Sequence, residues 1–117
     1  MVTWDRVRIF TTIRKKVMKY TFKDLKFKKH PSTKKGILAS LEIEPDIFMS
    51  VIAGEGFFST SKKGVKAPVT DVKDVIAFEV GIINENLPDG EQQWDIFGWQ
   101  TREDINNIIK EIQDEQG

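Results

Sequence analysis

Two adjacent aromatics, Phe57 and Phe58, are followed closely by Lys62, Lys63 and Lys66, and a second aromatic group, Trp94, Phe97 and Trp99, comes later in the chain. A nucleotide needs such a set: a flat ring to stack on and cations to hold its phosphates. Arg102 falls in the first turn of the last predicted helix, where free backbone N–H groups attract anions. Glu103 and Asp104 share that turn and oppose the use. A plainer reading places most of these aromatics in the core and leaves the lysines in water. The candidate ligand-binding residues are Phe57, Phe58, Lys62, Lys63, Trp99 and Arg102.

No catalytic constellation accompanies them. The single histidine, His30, sits beside Pro31 in a turn, with no serine or cysteine nucleophile identifiable as its partner. Cysteine is absent, which removes thiolate zinc ligation and disulfides, and the acidic residues do not form an Asp-rich calcium loop. Gly54-Glu55-Gly56 lacks the third glycine of a dinucleotide fingerprint, so its glycines point to a bulge or a close backbone approach. The expectation is a protein without metal or cofactor that captures something and does not transform it.

These residues must be positioned by a small α+β domain. Phe48–Phe58 is a run of apolar and small residues suited to a central strand. Before it, Leu25 and Phe27 alternate with Lys26 and Lys28 as a strand whose outer face is lysine. His30–Gly36 supplies a turn, and Ile37, Ala39, Leu41 and Ile43 line one face of the next strand, with Leu38, Ser40 and Glu42 on the other. Glu44-Pro45-Asp46 turns into the central run, predicting antiparallel pairing. Residues 59–71 show no period and read as a long loop. Val75–Ile83 is a nearly continuous apolar strand with Ile76, Phe78, Val80 and Ile82 inward, and Trp94–Trp99 is a short last strand.

Helices bracket this sheet. Thr101 with Asp104 forms a variant capping box, and Ile105, Ile108, Ile109 and Ile112 recur at i, i+3, i+4 and i+7, predicting a helix over 101–115 with one isoleucine face. At the other end Trp4, Val7, Phe10, Arg14 and Val17 fall at helical spacing, while Val7–Ile13 is also able to alternate as a strand. The reading is one domain over 1–117: a basic, amphipathic helical segment at 1–20, an antiparallel sheet of about five strands at 21–100, and the last helix packed on the sheet.

The formal charge is zero, with 18 basic and 18 acidic side chains, but it is segregated. Residues 1–36 hold twelve Lys/Arg against Asp5 and Asp24, a net of +10, and the remainder therefore carries −10. Either the basic third faces phosphates, as a nucleic-acid surface would, or it packs beside the acidic part within a chain or between copies. No apolar run approaches the ~20 residues of a membrane span, and the amino terminus lacks the basic, apolar and small order of a signal peptide. A cytoplasmic protein is expected.

The order Leu25-Lys26-Phe27-Lys28-Lys29-His30-Pro31, Lys35-Gly36-Ile37-Leu38-Ala39, Ser50-Val51-Ile52, Phe78-Glu79-Val80-Gly81-Ile82 and Gly98-Trp99-Gln100-Thr101-Arg102-Glu103-Asp104 resembles small bacteriophage-encoded accessory proteins. Similar phage proteins include counter-defence factors such as the Thoeris anti-defence sponges, which sequester a cyclic ADP-ribose signal without cleaving it. The resemblance implies a non-enzymatic protein acting on the host; a homo-oligomer in the host cytoplasm is the expectation beside it. Its partner would be a small nucleotide signal. The alternatives are a host defence or replication protein that it inhibits, or nucleic acid held by the basic amino-terminal segment.

Overall fold

The computed structural model describes residues 20–33 and 35–116. The expected amino-terminal helix, and its competing strand at Val7–Ile13, lie outside the described residues. Among the described residues there are seven strands: β1 (Lys28–Lys29), β2 (Gly36–Glu44), β3 (Ile47–Gly54), β4 (Thr60–Ser61), β5 (Gly64–Val65), β6 (Val75–Asn84) and β7 (Asp95–Gln100). One α-helix, α1 (Arg102–Gln116), follows them. All pairings are antiparallel: β1 with β2, β2 with β3, β3 with β6, β6 with both β4 and β7, and β4 with β5.

The expected count of about five strands is exceeded because three strands have only two residues, too short to show a period in sequence. One correction concerns the first strand. Phe22–Asp24 forms a single 3-10 turn capped by Thr21, and only Lys28 and Lys29 pair with β2, opposite Leu38 and Ile37. Leu25 and Phe27 therefore act as plugs under the sheet, with Leu25 buried and Phe27 packed against the core. A second concerns residues 59–71, expected to lack structure, where a tight β4–β5 hairpin pairs Thr60 with Val65 and Ser61 with Gly64.

Among the described residues one face of the sheet is covered by the helix. Ile37, Ala39, Ile43, Met49, Val51, Ala53, Phe78 and Val80 are buried there, under Ile105 and Ile109 of α1, which are fully buried. Ile108 and Ile112 pack at the margin. Burying each such side chain contributes roughly 1.5–3 kcal/mol before chain entropy is deducted. The helix starts as the sequence predicts: Asp104 N–H donates to Thr101 Oγ1 at 3.1 Å, and Thr101 N–H donates to Asp104 Oδ2 at 2.9 Å. The carboxylate thus satisfies a donor that no earlier turn could.

Ile76 departs from expectation. Strict alternation along β6 predicts an inward side chain, but it is 53% exposed while Val75 and Ala77 are buried. Thr60 pairs with Ala77 and Ser61 with Val75, so β6 carries one extra residue at Ile76. That bulge turns Ile76 outward and restores the inward phase at Phe78.

Gly54 holds the start of β2 against the end of β3. Its φ is +149°, and a Cβ there would sit 2.5 Å from Gly36 Cα and from the Lys35 carbonyl oxygen. Only glycine permits this approach of two backbones. The Lys35 carbonyl also accepts from Glu55 N–H at 3.2 Å and from Val69 N–H at 3.0 Å, so three separate segments meet on one oxygen. This junction sets where Phe57 and Phe58 emerge.

Candidate functional site

The second sheet face carries no helix among the described residues. Register places Leu38 opposite Ile52, Ser40 opposite Ser50 and Glu42 opposite Phe48, then Ile52 opposite Glu79, Ser50 opposite Gly81 and Phe48 opposite Ile83. Gly81 in turn faces Ile96 of β7. The middle row is therefore small, Ser40–Ser50–Gly81, between rows of larger side chains. A recess of about 150 Å³ results, lined by Ser50, Ile52, Glu79, Gly81, Trp94 and Ile96. The Trp94 ring lies 3.0 Å from where a Gly81 Cβ would project, so the bare glycine is what lets that indole lie on the sheet.

After β3 the backbone passes beside this face. Phe58 N–H donates to Glu79 Oε1 at 2.9 Å, and the Phe58 carbonyl accepts from Trp99 N–H at 3.0 Å. Trp99 can make that bond because it adopts φ +53°, at an irregularity where β7 shifts register between its pairings to Phe78 and Val80. The two rings then lie 5.2 Å apart and tilted by 34°. A Cβ at Gly98 would meet Phe58 Cβ at 3.0 Å, so glycine again makes room for the pair. Lys66, itself at φ +58°, brings Nζ to 4.9 Å from the centre of the Phe58 ring. Such a contact contributes about 0.5–1 kcal/mol at an exposed site. The assembled set is Lys66 over Phe58 against Trp99, with Phe58 and Trp99 still 42% and 47% exposed.

Of the six candidate residues, the structure joins only Phe58 and Trp99. Phe57 turns the other way and packs on the His30 ring at 5.1 Å. That contact, with Ser32 N–H donating to His30 Nδ1 at 3.1 Å, gives the histidine a place in the β1–β2 turn. Lys62 lies 3.8 Å from Asp74, in an exposed pair of small energetic consequence. Lys63 is exposed on the β4–β5 turn. Arg102 is committed elsewhere: Nη1 donates to the Val75 carbonyl at 2.7 Å and Nη2 to the Val72 carbonyl at 2.8 Å. Its guanidinium also lies 5.3 Å from the centres of both the Phe22 and Phe78 rings. Arg102 thus ties α1 to the entry of β6. Phe97, opposite Val80, belongs to the covered side of the sheet.

Sequence reasoning missed the role of Glu79, whose carboxylate fixes the Phe58 backbone; its position between Phe78 and Val80 in an apolar strand was the available signal. Among the described residues no group of three or more His, Asp or Glu could hold a metal ion, and no helix is long and apolar enough to cross a membrane. Comparison with protein-family models, curated proteins and solved structures finds no match.

Proposed function

We propose that this chain works by binding, and that the Phe58–Trp99 pair with Lys66 is a platform on which a small nucleotide is captured intact. What supports the reading is one arrangement: two half-exposed rings in contact, with a cation over Phe58, on backbone fixed by the Phe58–Glu79 and Trp99–Phe58 hydrogen bonds. A base would stack on the exposed Trp99 ring, and Lys66 would meet the phosphates. Within that reading the chain serves a phage as a non-enzymatic counter-defence protein in the host cytoplasm, a sponge for a cyclic nucleotide immune signal.

Equilibrium dialysis against ADP-ribose and cyclic ADP-ribose tests this, with the ligand recovered after heat denaturation. Binding that falls at least tenfold in Trp99→Ala, with ligand released unchanged, is the expected result. No binding by the parent chain, or release of an altered ligand, would overturn the proposal.

A second reading has its own observation. The recess beside Trp94 is about 150 Å³, below the ~300–1,000 Å³ of pockets that enclose small molecules. A shallow face of that kind suits a protein surface, as an inhibitor of a host defence or replication protein would require. Retention of one host protein by immobilised parent chain, lost in Trp94→Ala, would favour it.

A further inference from the structure

We infer that the recess shared by β3, β6 and β7 is a seat for one arginine side chain of a protein partner, and that Glu79 is the residue that holds its guanidinium. The inference rests on the second reading above, a protein-binding inhibitor that docks through this face, and names the group such a partner must present. It makes no use of the Trp99 ring.

Register gives the recess the form of a short trough along β6. Gly81 is its floor, since a bare Cα leaves the centre of β6 without a side chain. Ser50 stands opposite Gly81 on β3 and Ile96 opposite it on β7, so these two form the walls. Two residues along the strands, ~7 Å away, Ile52 opposes Glu79 and the pair closes one end. Asp95 pairs with Ile82, which puts Trp94 at the other end, with Cε3 of its ring 3.0 Å from where a Gly81 Cβ would project. Trp94 and Ile96 are 48% and 52% exposed, so the trough is open to an incoming group. Its volume of about 150 Å³ suits the end of one side chain.

Glu79 decides which side chain that is. Its Oε1 accepts from Phe58 N–H at 2.9 Å, and among the described residues Oε2 has no donor. The ion pairs among those residues, Lys35–Glu55, Lys62–Asp74 and Lys73–Asp71, leave it out. Of the lysines on this face, Lys66 is placed over the Phe58 ring, and Lys28, opposite Leu38, stands on β1. That is three strands from β6, about 14 Å. A half-buried carboxylate beside Ile52, Ile96 and an indole therefore lacks the counter-charge that such a setting calls for.

Arginine fits this trough better than lysine. Laid along β6, its apolar stem passes the Trp94 ring and Ile96 over Gly81, and its fork meets Glu79 Oε2. An ammonium is more strongly hydrated and has no fork. The described part of the chain does not supply the group, because its one arginine, Arg102, is committed to the Val72 and Val75 carbonyls. Arginine and tryptophan are also the side chains that most often dominate binding at protein interfaces.

Nuclear magnetic resonance on the full chain tests this, with Nα-acetyl-arginine amide as the probe. The chain has three tryptophans, and Trp94→Phe assigns the indole N–H signal that matters. That signal should shift and saturate with the arginine probe and stay still with its citrulline counterpart, which has the same shape and no charge. The lysine counterpart should bind several-fold more weakly. Glu79→Gln keeps an acceptor for Phe58 N–H but removes the charge, so it should weaken arginine binding at least about tenfold. If that variant unfolds, the contrast between arginine and citrulline in the parent chain decides. A silent parent, an equal response to citrulline, lysine binding as tight as arginine, or full affinity in Glu79→Gln would each overturn the inference. So would a response that appears only in Arg6→Gln/Arg8→Gln/Arg14→Gln, which would assign the trough to this chain's own arginines. Host-protein retention lost in Trp94→Ala, with no response to the arginine probe, would sink this inference and leave the second reading standing; arginine binding with no host protein retained would do the reverse.

Discussion

Replacing Arg102 separates two roles that the same side chain could have played. As an anion ligand at a helix start, Arg102→Ala would abolish binding and leave stability near that of the parent. The structure instead gives its fork two carbonyl acceptors, on Val72 and Val75, and two ring faces, on Phe22 and Phe78. A hydrogen bond to a charged group contributes about 1.5–3 kcal/mol, and the lower end applies because the group is partly exposed, so two bonds supply ~3 kcal/mol. The ring contacts add about 0.5–1 kcal/mol. Arg102→Ala should therefore cost ~3.5–4 kcal/mol. For a domain of this size each 1 kcal/mol lowers Tm by about 4 °C, giving a drop of ~14–16 °C. Arg102→Lys should recover at most about half, since an ammonium cannot reach both carbonyls in one plane as the guanidinium does. Urea denaturation followed by circular dichroism measures both. If Arg102→Ala lies within ~0.5 kcal/mol of the parent, the range of a surface substitution, the structural account of this residue is refuted.

Two further stability tests probe the junction and the core. Gly54→Ala forces a Cβ onto the backbone of residues 35 and 36 at a φ of +149° and should cost about 3–5 kcal/mol, combining strain with overpacking. Gly56→Ala, at φ +84° with nothing within 4 Å, should cost only the ~1–2 kcal/mol of left-handed backbone; equal losses at the two positions would contradict the close approach. Ile109→Ala, at a fully buried site under the sheet, should lose about 3 kcal/mol by urea denaturation, and a loss below 1 kcal/mol would mean the helix does not cover that face.

Elements with repeated local signals were readable in the chain. The isoleucine stripe and its Thr101–Asp104 cap specify α1 within fifteen residues, and the alternation from Ile37 to Ile43 specifies which face of β2 is buried. Features set by contacts between distant segments were not. The outward turn of Ile76 comes from an extra residue opposite β4, and a two-residue strand carries no period to reveal it. The destination of Arg102 lies 27 and 30 residues earlier in the chain, at carbonyls that become acceptors only once β6 is placed. The ring pair proposed as a platform was half legible: Phe58 and Trp99 stood out as aromatics near strand ends. Their meeting depends on Gly98 and on the Glu79 carboxylate, neither of which carries a local signature for it.

The helix that closes the core comes after every strand it closes over. While a ribosome extends the chain, the apolar underside formed by Met49, Val51, Phe78 and Val80 is complete before α1 has been made, and it stays wet for that interval. Such transiently open surface is where nascent chains stick to one another. A chain ending before residue 102 should keep that surface exposed and aggregate, where the full chain should not.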